Sequence, residues 1–397
     1  MAQAFDQPYR IAQLDALRGI AVIGIALMNV YVFALPAQGY YNPAYTGDLT
    51  ATDRWVWIVS FVFVEDKFRT LFAIMFGAGC LILLERSSER RWRGHFARMS
   101  VLLAIGIAHS IVLASNDVLR VYAMAGCAIP LLFGLSHRAL YVIAIGLIAA
   151  HVGFGMVVFG SGLVDHFSGR AGTDAVLFAE RNFGSDPAAV QASLERGGES
   201  LTERVARRAS ALPTQLMTLF GAVPLNLAAI SLGMALWRDQ MLSGKWPTFR
   251  LQRLAAICAL LALPALFGLA AWIADEGFPG PLVGSGALVL STPFDVLLGL
   301  SYAALVMALL APDGKLTSVL AAVGRLSLTN YLMTSVVFAW IFASWGLGWF
   351  GQVSRGQALA LSLVPILGML LWSGPWLRLA GKGPFEKLWR GAARLLS

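Results

Sequence analysis

The chain has 397 residues, 58% of them hydrophobic and 13% charged, with a mean hydropathy of +0.69. A soluble domain carries roughly a quarter charged residues, so an ordinary soluble enzyme is excluded and an all-α polytopic membrane protein is indicated. The net charge of +8 does not point to nucleic acid, because the basic residues sit in short segments between apolar runs, as topology signals do.

Apolar windows place about ten transmembrane helices, near 17–36, 56–84, 97–114, 118–135, 139–160, 211–237, 251–274, 285–311, 316–345 and 356–378, each close to the ~20 residues needed to cross. Within the second, EDKFRT (65–70) is too charged for lipid, which predicts an interfacial or re-entrant helix over 55–64 and a span over 70–84. With the N-terminus inside, the inner segments hold 19 of the 30 Lys and Arg, and short loops weigh most, so both termini are placed in the cytoplasm. The first run follows LDALRG rather than a basic leader, which argues against a cleavable signal peptide. Residues 1–160 and 211–397 form two helical halves of one membrane domain. Between them, 161–210 is an extracytoplasmic segment whose LFAERNF and AAVQASLERGG pieces read as short amphipathic helices; a cap, a lid or a connector all fit. No repeat relates the halves, so the two-halves transporter signature is not supported.

Ionisable residues inside apolar runs are costly and face a cavity or a partner. In LDALRGIAVIGIALMNV, Asp15 and Arg18 share a helix face at the inner entry, and Asn29 lies about three turns deeper. Taken alone, these residues are better explained by a helix-start ion pair with a packed asparagine. In EDKFRTLFAIMFGAGC, Lys67 and Arg69 open a helix whose Gly77-Ala78-Gly79 run permits close packing; an interfacial ring of charge and a substrate site are both open readings. In IGIAHSIVLASNDVLRVY, His109 lies about 8 Å inside the outer end of its span, and Asp117 sits in the outer turn with Arg120 following. A histidine in an outward pocket, oriented by a carboxylate, suits a general base; a histidine satisfied by a neighbouring helix is the alternative. Asp295 needs a cationic partner, for which Lys67 or Arg69 qualify. In VGRLSLTNYLMTS, Arg325 lies at the inner end with Thr329 and Asn330 one turn deeper. Cys80, Cys127 and Cys258 read as small buried hydrophobes. There is no Walker loop, zinc spacing, nucleophile elbow or redox motif, so no metal is expected.

Four blocks carry a resemblance: LDALRGIAVIGIALMNV, EDKFRTLFAIMFGAG, AIGIAHSIVLASNDVLRVYAMAG, and VGRLSLTNYLMTSVVF with the downstream WGLGWFGQVSRGQ and GPFEKLWR. Together, from about residue 10 to 392, they resemble the YeiB-like family of bacterial inner-membrane proteins. One departure is Asn116, where that pattern has a glycine; asparagine also tolerates a left-handed turn. The opening LDxLRG resembles the wider transmembrane acyltransferase superfamily, which includes heparan-α-glucosaminide acetyltransferase and the acyltransferase-3 enzymes. That resemblance implies an acyl group taken from cytosolic acyl-CoA and delivered to an acceptor on the far side. The lysosomal enzyme has its histidine after the first span, where this chain has EDKFRT, so the role passes to His109.

The expected function is therefore a multi-pass inner-membrane acyltransferase using acetyl-CoA or another acyl-CoA as co-substrate. Arg18, Asn29, Arg325 and Asn330 would hold the donor, helped by residues of 86–98. His109 and Asp117 would be catalytic, and Lys67, Arg69, Asp295 and Arg120 would serve the acceptor and the oxyanion. The acceptor is a sugar, a lipid or a small metabolite. The alternatives are a transporter or flippase using the same residues, and a non-catalytic scaffold. The lipid bilayer is the surrounding partner, and the glycine-rich 346–351 offers a homodimer contact.

Overall fold

Long apolar runs leave the backbone no solvent partner, so the backbone must bond within each segment. The computed structural model describes residues 11–86 and 91–396, and those residues form helices with no strand. The first half holds α1 (Ala12–Ala34), α2 (Ala37–Tyr41), α3 (Ala51–Phe63), α4 (Lys67–Glu85), α5 (Arg91–Val112), α6 (Val118–Gly126), α7 (Ile129–Leu132) and α8 (His137–Phe167). Then come α9 (Asp174–Phe183), α10 (Pro187–Gly197), α11 (Leu201–Ser210), α12 (Leu212–Leu219), α13 (Val223–Arg238) and α14 (Thr248–Asp275). The chain finishes with α15 (Gly280–Ser285), α16 (Thr292–Leu309), α17 (Lys315–Arg325), α18 (Ser327–Phe342), α19 (Arg355–Leu361), α20 (Leu363–Ala380) and α21 (Pro384–Leu396).

Among the described residues, 8 helical segments are long and apolar enough to cross a membrane: Ala12–Ala34, Ala51–Glu85, Arg91–Val112, His137–Phe167, Leu212–Arg238, Thr248–Asp275, Thr292–Leu309 and Arg355–Ala380. The protein is an all-α polytopic membrane protein. Two further expected spans are broken helices. The stretch over 118–135 divides into α6 and α7, with Pro130 in the first turn of α7, where its missing N–H costs nothing. The stretch over 316–345 divides at Leu326, whose φ of −109° and ψ of 25° interrupt the helix between α17 and α18. The expected helix from 285 begins at Thr292, after a π turn over Gly286–Leu290. The EDKFR charges do mark a break: α3 stops at Phe63, and Asp66 takes a left-handed φ of 59° before α4 begins.

Long-range hydrogen bonds define two ends. At one, Gln13 donates to the Leu310 carbonyl (2.8 Å) and Trp389 to that of Arg98 (3.0 Å); this end carries Arg18, Arg325 and Arg390 and is called the basic end. At the other, 161–210 folds as a helical cap. Gln38 donates to the Arg181 carbonyl (2.7 Å), Asn42 to those of Phe183 (2.8 Å) and Phe278 (3.0 Å), and Ser344 to that of Glu199 (2.5 Å). The Gly280 amide also donates to Glu180 Oε1 (2.8 Å), so the cap is tied to three separate connections of the membrane domain. The glycine-rich 346–351 is engaged with it too, since the Phe350 ring lies where a Cβ on Gly197 would be. Cys80 and Cys258 are buried, but Cys127, at the α6–α7 break, is exposed, and none is in a disulfide.

Two helix crossings depend on glycine. A Cβ on Gly324 would lie 1.8 Å from the Asp15 carbonyl oxygen, and one on Gly19 would lie 2.1 Å from that of Leu320, so α1 and α17 touch backbone to backbone. Gly77 and Gly233 join α4 to α13 in the same way, 2.2 Å from the Ile230 oxygen and 1.9 Å from the Ile74 oxygen. Small residues at crossings are how membrane helices gain packing where apolar burial drives little. Gly324→Ala must push the helices apart and should destabilise the protein by about 1–3 kcal/mol. Gly268→Ala, with nothing within 4 Å of the new Cβ, should be neutral or stabilising by up to about 1 kcal/mol. Thermal unfolding of the two variants in detergent checks this, and equal melting temperatures would refute the crossing argument.

Candidate functional site

The α5–α6 hairpin turns through Ser115-Asn116-Asp117. Asp117 caps α6 by accepting from the Arg120 amide (Oδ1, 3.0 Å), satisfying one of the helix's free N–H groups. Its other oxygen, Oδ2, accepts from His109 Nδ1 at 2.6 Å and from the Tyr331 hydroxyl at 3.3 Å. The Arg120 Nε lies 4.0 Å from Oδ1, and its guanidinium is held by Gln215 (3.1 Å) and the Ser115 carbonyl (2.5 Å). All four side chains are buried. A carboxylate beside Nδ1 places that proton on Nδ1, so the neutral imidazole presents a bare Nε2. Nε2 is buried and has no partner among the described residues. The His109 ring tilts against that of Tyr331, centroids 5.2 Å apart. The approach of α5 to this turn requires Gly106, where a Cβ would lie 2.7 Å from Asp117 Oδ1 and 2.9 Å from the Arg120 amide nitrogen.

Two cavities approach this cluster from opposite ends. The basic-end cavity, about 450 Å³, has Arg18, Arg86, Arg325 and Arg390 among its lining and apolar walls that include Phe72, Phe76 and Tyr122. Both phenylalanine rings stack on Tyr122, at 5.8 and 5.7 Å. Tyr331 also lines this cavity. The cap-end cavity, about 370 Å³, is lined by Asn29, Tyr40, Asp66, Arg69, Ser115 and Asn116 below and by arginines of the cap above. Ile25 and Val118 line both, so the cavities share a wall. Val118 follows Asp117 directly, and its amide donates to the Tyr331 hydroxyl at 3.4 Å.

The expected residues sort accordingly. His109, Asp117 and Arg120 come together, but none lines either cavity; the expectation that His109 and Asp117 open onto one is corrected, since Tyr331 and Val118 stand between. Arg18 and Arg325 line the basic-end cavity, with Arg18 bound to Asp15 at 3.0 Å and its guanidinium packed over Gly79. Asn29 lies beyond the shared wall, in the cap-end cavity rather than beside Arg18 and Arg325. Asn330 lines neither cavity: Nδ2 donates to Val323 (3.0 Å) and Ser373 (3.2 Å), and Oδ1 accepts from Trp372 (2.9 Å), bracing the α17–α18 break against α20. Lys67 and Asp295 form a buried ion pair at 2.6 Å, with Lys67 also bonded to the Phe61 carbonyl and Asp295 to Ser291 (2.7 Å), away from both cavities. Arg69 pairs with Asp66 (2.8 Å) in the cap-end wall. Of the inner segment 86–98, Arg86 lines the basic-end cavity, while 87–90 lie outside the described residues.

Sequence reasoning missed Tyr331, Gln215, Gly106 and Glu386. Glu386 of GPFEKLWR accepts from the Leu328 and Thr329 amides (2.9 and 3.1 Å) and the Thr329 hydroxyl (2.5 Å), capping α18 from another helix and lining the basic-end cavity. The spacing of Glu386 after a Gly-Pro pair hints at a capping role, but its partner helix is not visible in sequence.

Asp117 holds four groups, so Asp117→Ala should cost about 3–5 kcal/mol, the range for stripping one partner from a buried pair. Tyr331→Phe loses one hydrogen bond to a charged group and should cost about 1.5–3 kcal/mol. Chemical denaturation in detergent reads the difference, and an Asp117→Ala protein as stable as Tyr331→Phe would contradict the central role given to Asp117.

A family model described as "Protein of unknown function (DUF418)" matches residues 236–395. The chain is 30% identical over 390 residues to "Uncharacterized protein YeiB" of Escherichia coli (strain K12), covering 96% of this chain and 95% of that one. It is 28% identical over 417 residues to "Uncharacterized protein YxaH" of Bacillus subtilis (strain 168), covering 97% and 94%. It is 24% identical over 386 residues to an uncharacterized 39.9 kDa protein from the amylase 3' region of Bacillus acidopullulyticus, covering 96% and 93%. No solved structure matches the chain. With the likeness to YeiB running through nearly the whole of both sequences, the hairpin and both cavities included, the chain belongs to the YeiB-like family.

Proposed function

We propose that the protein is an acyltransferase of the bacterial inner membrane that takes an acyl group from cytosolic acyl-CoA and delivers it to an acceptor hydroxyl or amine on the other side. One observation carries the reading: two cavities from opposite ends share the wall at Ile25 and Val118, beside an aspartate-held histidine whose Nε2 has no partner. The basic-end cavity suits a donor, since arginines at its mouth would bind the nucleotide phosphates by charge-assisted hydrogen bonds. Its aromatic walls would take the pantetheine arm. The cap-end cavity suits a polar acceptor, with Asn29 and Arg69 offering donors to the acceptor or to the developing oxyanion.

The step is a nucleophilic acyl transfer. The acceptor heteroatom attacks the thioester carbonyl at the shared wall, and His109 Nε2 takes its proton while Asp117 steadies the resulting imidazolium. The tetrahedral intermediate then expels the thiolate, which receives the proton and leaves as coenzyme A. Because Tyr331 and Val118 separate His109 from the cavities, substrate must displace one of these side chains to reach Nε2. A sugar, a lipid and a small metabolite all remain acceptors of the right chemistry.

The same two cavities also suit a transporter, and counterflow of a solute in proteoliposomes would favour that reading. For the enzyme, His109→Ala should lower acyl transfer or slow acyl-CoA hydrolysis by at least about 100-fold, the usual share of a general base, while leaving acyl-CoA binding intact. Arg18→Ala and Arg325→Ala should weaken binding of acyl-CoA at least tenfold. Calorimetric binding and product analysis on purified protein read both effects, and binding indifferent to both arginines would remove the donor site.

A further inference from the structure

The cap carries a charge imbalance that its fold does not need. Arg196 at the end of α10, and Arg204, Arg207 and Arg208 on α11, all line the cap-end cavity. Only Arg207 is neutralised: Glu199 accepts from its Nε at 2.6 Å and from its NH2 at 2.8 Å. That ion pair holds the Glu199 carboxyl below its usual range. Below the arginines, Asp66 in the cavity wall is taken by Arg69 at 2.8 Å. Arg196, Arg204 and Arg208 form no ion pair among the described residues, and a terminal nitrogen of Arg208, NH1, is buried without a hydrogen-bond partner. Burial, reinforced by repulsion from Arg204 and Arg207, pulls the Arg208 guanidinium down to about 10, which still leaves it charged at neutral pH. Arg196 is exposed at the rim, but Arg204 and Arg208 are partly buried side by side, and a desolvated, unused donor on Arg208 is costly to keep there unless an anion joins them.

The cap is also built to keep these arginines in place. Ser200 and Glu203 form a reciprocal capping box at the start of α11. The Ala37 amide donates to the Ser193 hydroxyl at 3.1 Å, and Phe350 fills the space over Gly197. The positive cluster is therefore a fixed wall, and guanidinium groups present the planar forks that match phosphate oxygens.

We propose that the cap-end cavity is a phosphoryl-anion site in which Arg204 and Arg208, with Arg196 at the rim, bind the phosphate of the acceptor. This rests on the acyltransferase reading only in naming the ligand as acceptor; the anion site itself stands on the cap geometry. The phosphate sits under α11 and the group to be acylated points past Asn29 toward the shared wall. The phosphate belongs either to a lipid headgroup or to a soluble phosphorylated metabolite.

The full-length protein in phosphatidylcholine nanodiscs, titrated with inorganic pyrophosphate by calorimetry, tests this. Saturable binding that weakens with salt is expected, and Arg204→Ala and Arg208→Ala should each weaken it at least tenfold. Arg208→Lys, which keeps the charge, should recover part of it and guards against misfolding. Arg170→Ala, on a cap arginine already paired with Asp165 at 2.6 Å, should bind as the parent does. Nanodiscs containing phosphatidylglycerol should raise the apparent Kd for pyrophosphate if the physiological phosphate is lipid-borne; an unchanged Kd assigns the site to a soluble ligand, and both results uphold the anion site. Binding unchanged in Arg204→Ala and Arg208→Ala overturns it. So does binding lost in Arg18→Ala and kept in Arg208→Ala, which would move the anion to the basic end and leave the donor reading standing. Loss of acyl-CoA binding in Arg18→Ala together with intact pyrophosphate binding keeps the two sites independent.

Discussion

The arrangement of the membrane domain around its centre depends on one buried carboxylate. Asp117 closes the α5–α6 turn, fixes His109, anchors the hydroxyl of Tyr331 on α18 and lies beside the Arg120 side chain. Taking an ionised carboxylate out of water costs several kcal/mol, and only a full set of donors offsets that. Here the donors come from three different helices, so the cost itself dictates where α5, α6 and α18 must meet. Gly106 is part of the same constraint, because the donors can converge only if α5 comes within backbone distance of the turn.

The remaining buried polar groups obey the same rule without sharing its chemistry. Lys67 and Asp295 neutralise each other, Asn330 spends both ends of its amide on α17 and α20, and Glu386 caps α18. Each repairs a helix break that the apolar environment would otherwise penalise. The amide of Asn330 and the carboxylate of Glu386 are engaged at both ends, whereas His109 and Arg208 each retain an unpartnered nitrogen next to a cavity or its wall. A buried polar atom without a partner is informative where it borders a space that a ligand can enter.

The sequence disclosed some of this and hid the rest for definite reasons. Apolar run length marks the crossing helices, and the charge of EDKFRT marks the α3–α4 break, because both are local properties. The pairing of His109 with Asp117 was legible as well, since a tight turn brings residues 8 apart together. Tyr331 was not, because it reaches Asp117 across 214 residues and a tyrosine in an apolar helix carries no distinctive signal. Asn29 and Asn330 were placed by depth alone. Depth put Asn29 about three turns beyond Arg18 but could not reveal that Ile25 and Val118 close the passage between them. Asn330 failed for a different reason: its partners Ser373 and Trp372 lie on α20, and rotation about α18 decides the matter. The cap arginines were visible as charges in RVARR, yet a segment that fitted a cap, a lid or a connector equally well gave no reason to aim them at a cavity.

The shared wall also separates the two principal functional readings on physical grounds. A transporter must open that wall to the whole solute, which requires the helices around it to move between two packings. Here α1 is pinned to α17 through Gly19 and Gly324, and to α4 where Phe68 fills the space over Gly24, one residue from Ile25. Backbone contacts of this closeness leave no slack for rocking without loss of the crossing itself. An acyl transfer makes a smaller demand: only a thioester carbonyl and one heteroatom must meet, and the bulk of donor and acceptor stays on its own side. Displacement of a side chain such as Tyr331 or Val118 is enough for that. The rigidity that would hinder transport is what would hold two reactants in register across the membrane, and this asymmetry of demand favours chemistry at the wall over passage through it.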